Sequence, residues 1–124
     1  MYPLISVMAG GAIGAGGRYL VGSAITTRLG AGFPYGTLAI NLFGGLLMGV
    51  LAGVIAKGGA TEAARLFFGV GILGGFTTFS AFSLECWGLI ERGAYGAACV
   101  YISVSVCGAL ALVVAGVALG RVLA

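Results

Sequence analysis

The 124-residue chain has no histidine and few charges: six lysines and arginines, and three acids, which are Glu62, Glu85 and Glu91. General acid and base catalysis near neutral pH relies mostly on histidine or on carboxyl groups with a perturbed pKa. This scarcity argues against hydrolytic and redox catalysis, so we expect that the protein is not an enzyme. The six cations are scattered without a basic run, which argues against a nucleic-acid partner.

Cysteine is also sparse and carries no motif. Cys86, Cys99 and Cys107 are odd in number, lack a CxxC spacing and lie in or beside apolar stretches. Neither a metal site nor a disulfide framework is indicated, and we expect these residues to be small buried side chains.

Hydrophobic residues, in contrast, make up 60% of the chain, and 25 residues are glycine. Charged residues account for 7%, whereas a soluble domain carries about 25%. Uncharged runs cover residues 1–17, 29–56, 66–84 and 93–120. Since about 20 apolar residues cross a bilayer as a helix, these runs predict one all-α membrane domain with four transmembrane helices. The approximate spans are 4–27, 35–56, 66–84 and 94–120.

The first span reaches full length only if its helix continues through Arg18. That arginine would then lie in a wet vestibule or extend to the membrane interface. A cleaved signal peptide is the alternative for this segment, but no basic region precedes Leu4.

The connections between spans are short, and no soluble domain is expected. Thr61 in the second connection is a candidate cap for the helix that follows it. Four helices of this length barely enclose a pathway, so we expect an oligomer.

The cations in the loops divide evenly between the two sides of the membrane. One side carries Lys57, Arg65 and Arg121, and the other carries Arg18, Arg28 and Arg92. Because the bias of lysine and arginine normally sets orientation, this balance predicts insertion in both directions and an antiparallel, dual-topology homodimer. The alternative is that one charge near a helix end dominates and gives a single orientation.

Small residues indicate where helices pack closely in lipid. Four pairs have the GxxxG spacing: Gly10 with Gly14, Gly45 with Gly49, Gly71 with Gly75, and Gly116 with Gly120. In a chain so rich in glycine, these pairs predict tight packing without assigning partners.

Residues 74–83, with the sequence GGFTTFSAFS, interrupt the third apolar run with two glycines and four hydroxyl side chains. Polar groups at bilayer depth are tolerated where they face protein or a water-filled path. This decapeptide is therefore the first candidate for an ion or solute site.

Helical spacing groups further residues with the decapeptide, because positions three or four apart share a face. Phe79, Phe82 and Glu85 share one face, as do Tyr101, Ser105 and Gly108. Asn41 adds an amide that either bonds a neighbouring helix or touches a permeant species. With Thr77, Thr78 and Ser80, the hydroxyls of Tyr101 and Ser105 form a possible track of neutral donors, which suits an anion.

The phenyl rings of this region have two interpretations. By default Phe76, Phe79 and Phe82 are lipid-facing or packing residues, but the electropositive edge of a phenyl ring is also able to meet a small anion. No cation lies near the centre of any span, so an anion would bind weakly enough to leave again.

Three motifs in this order resemble the Fluc/CrcB family of fluoride channels: residues 10–15 (GGAIGA) followed by Arg18 and Tyr19, residues 36–41 (GTLAIN), and the decapeptide 74–83. The resemblance covers essentially the whole chain. It implies antiparallel dimers with two pores, which export fluoride passively across the bacterial inner membrane and so lower its cytoplasmic concentration. It also implies a break in the third helix.

The resemblance further implies roles for individual residues. The backbone carbonyls of Gly74 and Thr77 from both subunits would surround one central structural sodium ion. The pore would be formed by Asn41, Phe79, Ser80, Phe82, Glu85, Tyr101 and Ser105, and Arg18 would belong to an aqueous vestibule that attracts anions. Two positions depart from the family pattern: Ala81 and Ala109 stand where relatives often carry hydroxyl side chains, which leaves the outer path of the ion open.

Two other classes of membrane protein are alternatives to a fluoride channel. A proton-coupled exporter of the small multidrug type needs a carboxylate within the membrane. Glu85 lies at the end of its apolar run, beside Trp87. A purely structural membrane protein explains the glycines, but not the clustered threonine, serine and phenylalanine.

Overall fold

The computed structural model describes residues 2–124, and within them every regular element is a helix. The first helix is Tyr2–Leu29, the second is Tyr35–Ala56, the third span covers Glu62–Glu91 and the last helix is Tyr95–Leu123. Each is long and apolar enough to cross a membrane. The predicted all-α membrane fold with four spans is confirmed.

The third span is broken into two halves. The leading half, residues 62–76, joins Glu62–Ala64, a π-helix Arg65–Leu73 and a last turn Gly74–Phe76. The trailing half is Phe79–Glu91. Between the halves, Thr77 (φ −83°, ψ 157°) and Thr78 (φ −151°, ψ 121°) are extended. The expected break in the third helix is therefore confirmed, and it lies within the decapeptide.

The start of the leading half follows the sequence-based expectation. The Thr61 side chain accepts a hydrogen bond from the Ala64 N–H at 3.1 Å, so the predicted cap is confirmed. Glu62 and Arg65 form an exposed ion pair across this first turn. The pair contributes little stability, because exposed salt bridges are typically worth less than about 1 kcal/mol.

Glycines hold the helices together in two pairs. A Cβ on Gly49 would fall on the carbonyl oxygen of Val113, and a Cβ on Gly116 would fall on that of Leu46, so the second and last helices touch along their backbones. The first helix packs in the same way on the leading half, because a Cβ on Gly14 would fall on the carbonyl of Ile72. The predicted tight packing is confirmed, and the structure supplies the partners.

Side-chain contacts place the connections at the two ends of the bundle. The Arg92 guanidinium donates to the carbonyl oxygen of Gly32 at 2.9 Å, which joins the first and third connections. At the opposite end, a Cβ on Gly59 would lie 3.3 Å from the Cβ of Ala124. The first and third connections therefore lie at one end of the bundle, and the second connection lies with the C-terminus at the other.

The core of the chain is small and lies between the trailing half and the last helix. Its buried members are Phe82, Cys86, Leu89, Ala98 and Tyr101. Most other large apolar side chains point outward, as expected for a protein surrounded by lipid. Cys99 and Cys107 are on this outer surface, so the expectation that all three cysteines are buried is wrong for two of them.

The glycine contacts lead to a prediction for the last helix. Gly116→Ala should lower the free energy of unfolding by about 1–3 kcal/mol, because the new methyl group meets backbone that has no room to move. Gly96→Ala is the matched control, since a Cβ there meets no atom of residues 2–124 within 4 Å, and should change it by less than about 1 kcal/mol. Equal unfolding midpoints for the two variants in detergent would contradict this packing.

Candidate functional site

The break in the third span is held by the side chain of Asn41. The Asn41 Nδ2 donates to the carbonyl oxygen of Thr78 at 3.0 Å, and the Asn41 Oδ1 accepts from the Thr78 N–H at 2.9 Å. One carboxamide thus satisfies both backbone groups of an extended residue. Of the two interpretations left open for Asn41, bonding to a neighbouring helix is observed, and its second Nδ2–H remains available to an ion.

A second side chain reaches the break from the first helix. The Arg18 Nε donates to the carbonyl oxygen of Gly75 at 3.2 Å, in a partly buried position. In a continuous helix this carbonyl would accept from the N–H of Phe79, which belongs to the trailing half. Arg18 therefore replaces one of the hydrogen bonds that the break removes.

The hydroxyl groups of the decapeptide form local hydrogen bonds. Thr78 Oγ1 caps the trailing half by accepting from the Ala81 N–H at 3.1 Å, and it lies 3.4 Å from the Ser80 Oγ. Thr77 Oγ1 donates to the carbonyl of Leu73 at 2.9 Å, and Ser83 Oγ donates to the carbonyl of Phe79 at 2.9 Å. The Ser80 hydroxyl is exposed on the surface of the chain.

The carbonyl groups of Gly74 and Thr77 also lose the donors that a continuous helix would supply. The Thr78 N–H, four residues after Gly74, donates to Asn41 instead, and the Ala81 N–H, four residues after Thr77, donates to the Thr78 hydroxyl. The carbonyls of Gly74 and Thr77 are neutral oxygen ligands of the kind that hard cations prefer. The residues present thus fit the cation that the family resemblance implies.

Beyond the break, aromatic rings lead to the last helix. The ring centroids of Phe79 and Phe82 are 5.6 Å apart, and those of Phe82 and Tyr101 are 5.1 Å apart. The Tyr101 hydroxyl donates to the Glu85 carboxylate at 3.0 Å. The two residue faces deduced from helical spacing therefore meet.

Ser105 follows Tyr101 by one helical turn and is 6% exposed. Its side-chain oxygen has no hydrogen-bond partner among residues 2–124. An unsatisfied buried hydroxyl costs about 1–3 kcal/mol. A further polar ligand or a water molecule is therefore expected beside it.

The two phenylalanines of the decapeptide have different surroundings. Phe82 is 9% exposed and belongs to the core, whereas Phe79 is 79% exposed on the surface of the chain. Gly74 and Ser80 are also exposed. Part of the predicted site therefore faces outward from a single chain.

A cavity of about 440 Å³ opens beside the break. Arg18, Thr78 and Glu85 line it, together with polar residues that the sequence did not single out: Ser23, Thr26, Thr27 and Thr37. The hydroxyls on the first helix follow an i, i+3, i+4 spacing from Ser23, which is a usable signal for a shared face. The cavity has the position expected for a vestibule, with a cation and a carboxylate in its wall.

This structure defines an integral membrane protein in which a broken helix gathers polar groups between an open cavity and a line of aromatic rings. The profile of the family described as "CrcB-like protein, Camphor Resistance (CrcB)" matches residues 5–117. The chain belongs to this CrcB family.

Several relatives are similar along nearly their whole length. The fluoride-specific ion channel FluC of Sphingopyxis alaskensis is 53% identical over 122 residues, which cover 98% of this chain and 97% of the relative. That of Phenylobacterium zucineum is 55% identical over 123 residues, with coverage of 98% and 97%. That of Erythrobacter litoralis is 51% identical over 130 residues, with coverage of 100% and 96%. These relatives are named as ion channels rather than enzymes, in agreement with the sequence-based expectation.

Proposed function

We propose that this chain is a fluoride-selective ion channel that lets fluoride leave the cell passively through the inner membrane and so lowers its cytoplasmic concentration. The observation that carries the proposal is the buried, unpartnered hydroxyl of Ser105, one turn from the ring pair of Phe82 and Tyr101. The site offers neutral donors and ring edges, which suit a small anion. The names of the relatives supply the identity of that anion.

The proposed path begins in the cavity beside Arg18, whose charge attracts anions. It continues past the free N–H of Asn41 and the Ser80 hydroxyl, and along the rings of Phe79 and Phe82. Tyr101, Ser105 and Glu85 line the remainder. Because neutral groups replace the hydration shell only in part, the ion is bound weakly enough to move on.

The active form is proposed to be an antiparallel homodimer with two pores. Phe79, which is 79% exposed, lines a closed path only if a second copy covers it. The exposed positions of Gly74 and Ser80 support the same arrangement. Near the ends of the spans, Lys57, Arg65 and Arg121 on one side are nearly balanced by Arg28 and Arg92 on the other, which permits insertion in both directions.

A structural sodium ion is proposed at the centre of this dimer, held by the carbonyls of Gly74 and Thr77 from each subunit. Support comes from the redirected N–H groups, which leave these two carbonyls without their helical donors. A bound sodium ion would supply positive charge to balance carbonyl oxygens that converge on the subunit interface. Gly74 and Thr77 would hold that ion, while the surrounding residues shape the backbone.

A proton-coupled exporter is the second candidate, because Glu85 lies within the third span and is bonded to Tyr101. A carboxylate in this position is the group such a transporter needs. The two functions differ in their dependence on a proton gradient, which the first experiment below varies.

Purified protein in liposomes should release trapped fluoride when valinomycin and potassium balance the charge, with little release of chloride. The reason is that a narrow path of hydroxyl and amide donors and ring edges replaces hydration well only for a small anion. Fluoride and chloride electrodes measure the release, and protein-free liposomes are the control. Efflux that stops when the proton gradient is collapsed would contradict the channel and favour the exporter.

The two rings of the path can be tested individually in the same assay. Phe79→Ile and Phe82→Ile should each slow fluoride release at least about tenfold, since the electropositive ring edge is lost while apolar volume is largely kept. Phe68→Ile, at a half-exposed ring of the leading half, should release fluoride at the unmodified rate. Loss of the dimer in gel filtration for the Phe79 and Phe82 variants would show that these rings serve packing instead.

Dual insertion predicts that a reporter fused after Ala124 appears on both sides of the membrane in comparable amounts, because the cations near the ends of the spans are nearly balanced across the bilayer. Removal of Arg92 by Arg92→Gln should shift the ratio toward the orientation that places Lys57 in the cytoplasm. Fluorescent and enzymatic reporters active on opposite sides measure the ratio. A single location for the unmodified chain would refute dual topology.

A further inference from the structure

Asn41 and the Thr78 side chain each accept an N–H group that a continuous third helix would direct at a different carbonyl. Asn41 Oδ1 accepts a hydrogen bond from the Thr78 N–H at 2.9 Å, and Thr78 Oγ1 accepts one from the Ala81 N–H at 3.1 Å. We propose that these two side chains are positioning residues for the cation: they keep the carbonyls of Gly74 and Thr77 open to it. The inference rests on the sodium site of the proposed function and adds the residues that create it.

The physical basis is a competition for lone pairs. In an α-helix the carbonyl of residue i is occupied by the N–H of residue i+4 and points along the helix axis. In a continuous third helix the Thr78 N–H would donate to the Gly74 carbonyl, and the Ala81 N–H would donate to the Thr77 carbonyl. An N–H group that finds no other acceptor at bilayer depth returns to the carbonyl, because an unsatisfied donor there is costly. Each side-chain acceptor therefore keeps one backbone N–H from forming a hydrogen bond with the carbonyl that would bind the cation.

The geometry of Asn41 explains why an amide stands at this position. Its Nδ2 also donates to the Thr78 carbonyl at 3.0 Å, so both polar groups of Thr78 are fixed and the residue stays extended. An aliphatic side chain at position 41 satisfies neither of the two. The second Nδ2–H remains for the anion path, so the positioning role and the proposed pore role are compatible.

Arg18 narrows the set of open carbonyls. Its Nε occupies the Gly75 carbonyl, which follows Gly74 directly and has also lost its place in a continuous helix. Arg18 thereby satisfies a group that would otherwise compete for the cation. The carbonyls whose donors bond Asn41 and the Thr78 hydroxyl instead are those of Gly74 and Thr77, the two carbonyls of the proposed sodium site.

The test is the dissociation constant for radioactive sodium bound by purified dimer in detergent, with choline replacing sodium as the balancing cation. Thr78→Val removes the hydroxyl, and valine suits the extended backbone of this position (φ −151°, ψ 121°). Thr78→Ser keeps the hydroxyl and is its matched control. Asn41→Leu removes the amide at similar volume, and Ser105→Ala alters the proposed anion path without touching the break.

Thr78→Val and Asn41→Leu should each raise the sodium dissociation constant at least about fivefold. In each variant one N–H group returns to a carbonyl, and sodium must compete with that one hydrogen bond. Thr78→Ser and Ser105→Ala should bind sodium as the unmodified protein does. If Asn41→Leu fails to form a dimer in gel filtration, the comparison of Thr78→Val with Thr78→Ser decides the result. An unmodified dissociation constant in Thr78→Val would overturn the inference while leaving the sodium site in place.

Failure of the sodium site itself gives a different result. The unmodified protein would then bind no sodium above the level of protein-free micelles, and both the site and this inference would be overturned together. Fluoride release from liposomes would be unaffected by that outcome, so the channel proposal is judged separately.

Discussion

The pairing of the Asn41 amide with the backbone of Thr78 is the interaction on which the rest of this structure depends. A backbone that leaves the helix at bilayer depth exposes donors and acceptors that lipid does not satisfy. The Asn41 side chain bonds both the N–H and the carbonyl of Thr78, and Arg18 donates to the Gly75 carbonyl. With these bonds in place the third span bends out of its helix at Thr77 and Thr78, and the trailing half presents Phe82 to Tyr101. Without them the apolar run from Glu62 to Glu91 would gain more hydrogen bonds as one continuous helix.

Close backbone packing supplies the frame for this break. The second helix lies against the last helix, and the first against the leading half, through glycines that leave no space for a methyl group. Such contacts suit lipid, where packing rather than the hydrophobic effect drives helix association. They also leave broad apolar surfaces turned outward and the polar edge of the break uncovered on one side. The uncovered edge includes Phe79 and Gly74, whose exposure supports the proposed dimer.

The fold was largely predictable from run lengths, because uncharged stretches of bilayer length leave few alternatives to transmembrane helices. Spacing also grouped Phe82 with Glu85, and Tyr101 with Ser105, since three- and four-residue intervals share a helix face. That these two faces meet was visible only once the helices were placed. What escaped prediction depends on tertiary geometry. Nothing in the composition distinguishes the buried Phe82 from the exposed Phe79, and a π-helix at Arg65–Leu73 leaves no periodic signal in a run that is apolar on all sides. The choice of Thr78 as the partner of Asn41 likewise required the helices to be placed.

The groups gathered by the break are proposed to conduct fluoride and not protons or chloride. The most direct measurement is the reversal potential of the current across a planar bilayer that contains the purified protein, with a tenfold fluoride gradient, equal chloride and equal pH on both sides. A fluoride channel predicts reversal at about 59 mV, the equilibrium potential of a monovalent ion under this gradient. Reversal near zero, or a reversal potential that shifts when a pH gradient is then added, would contradict a fluoride channel.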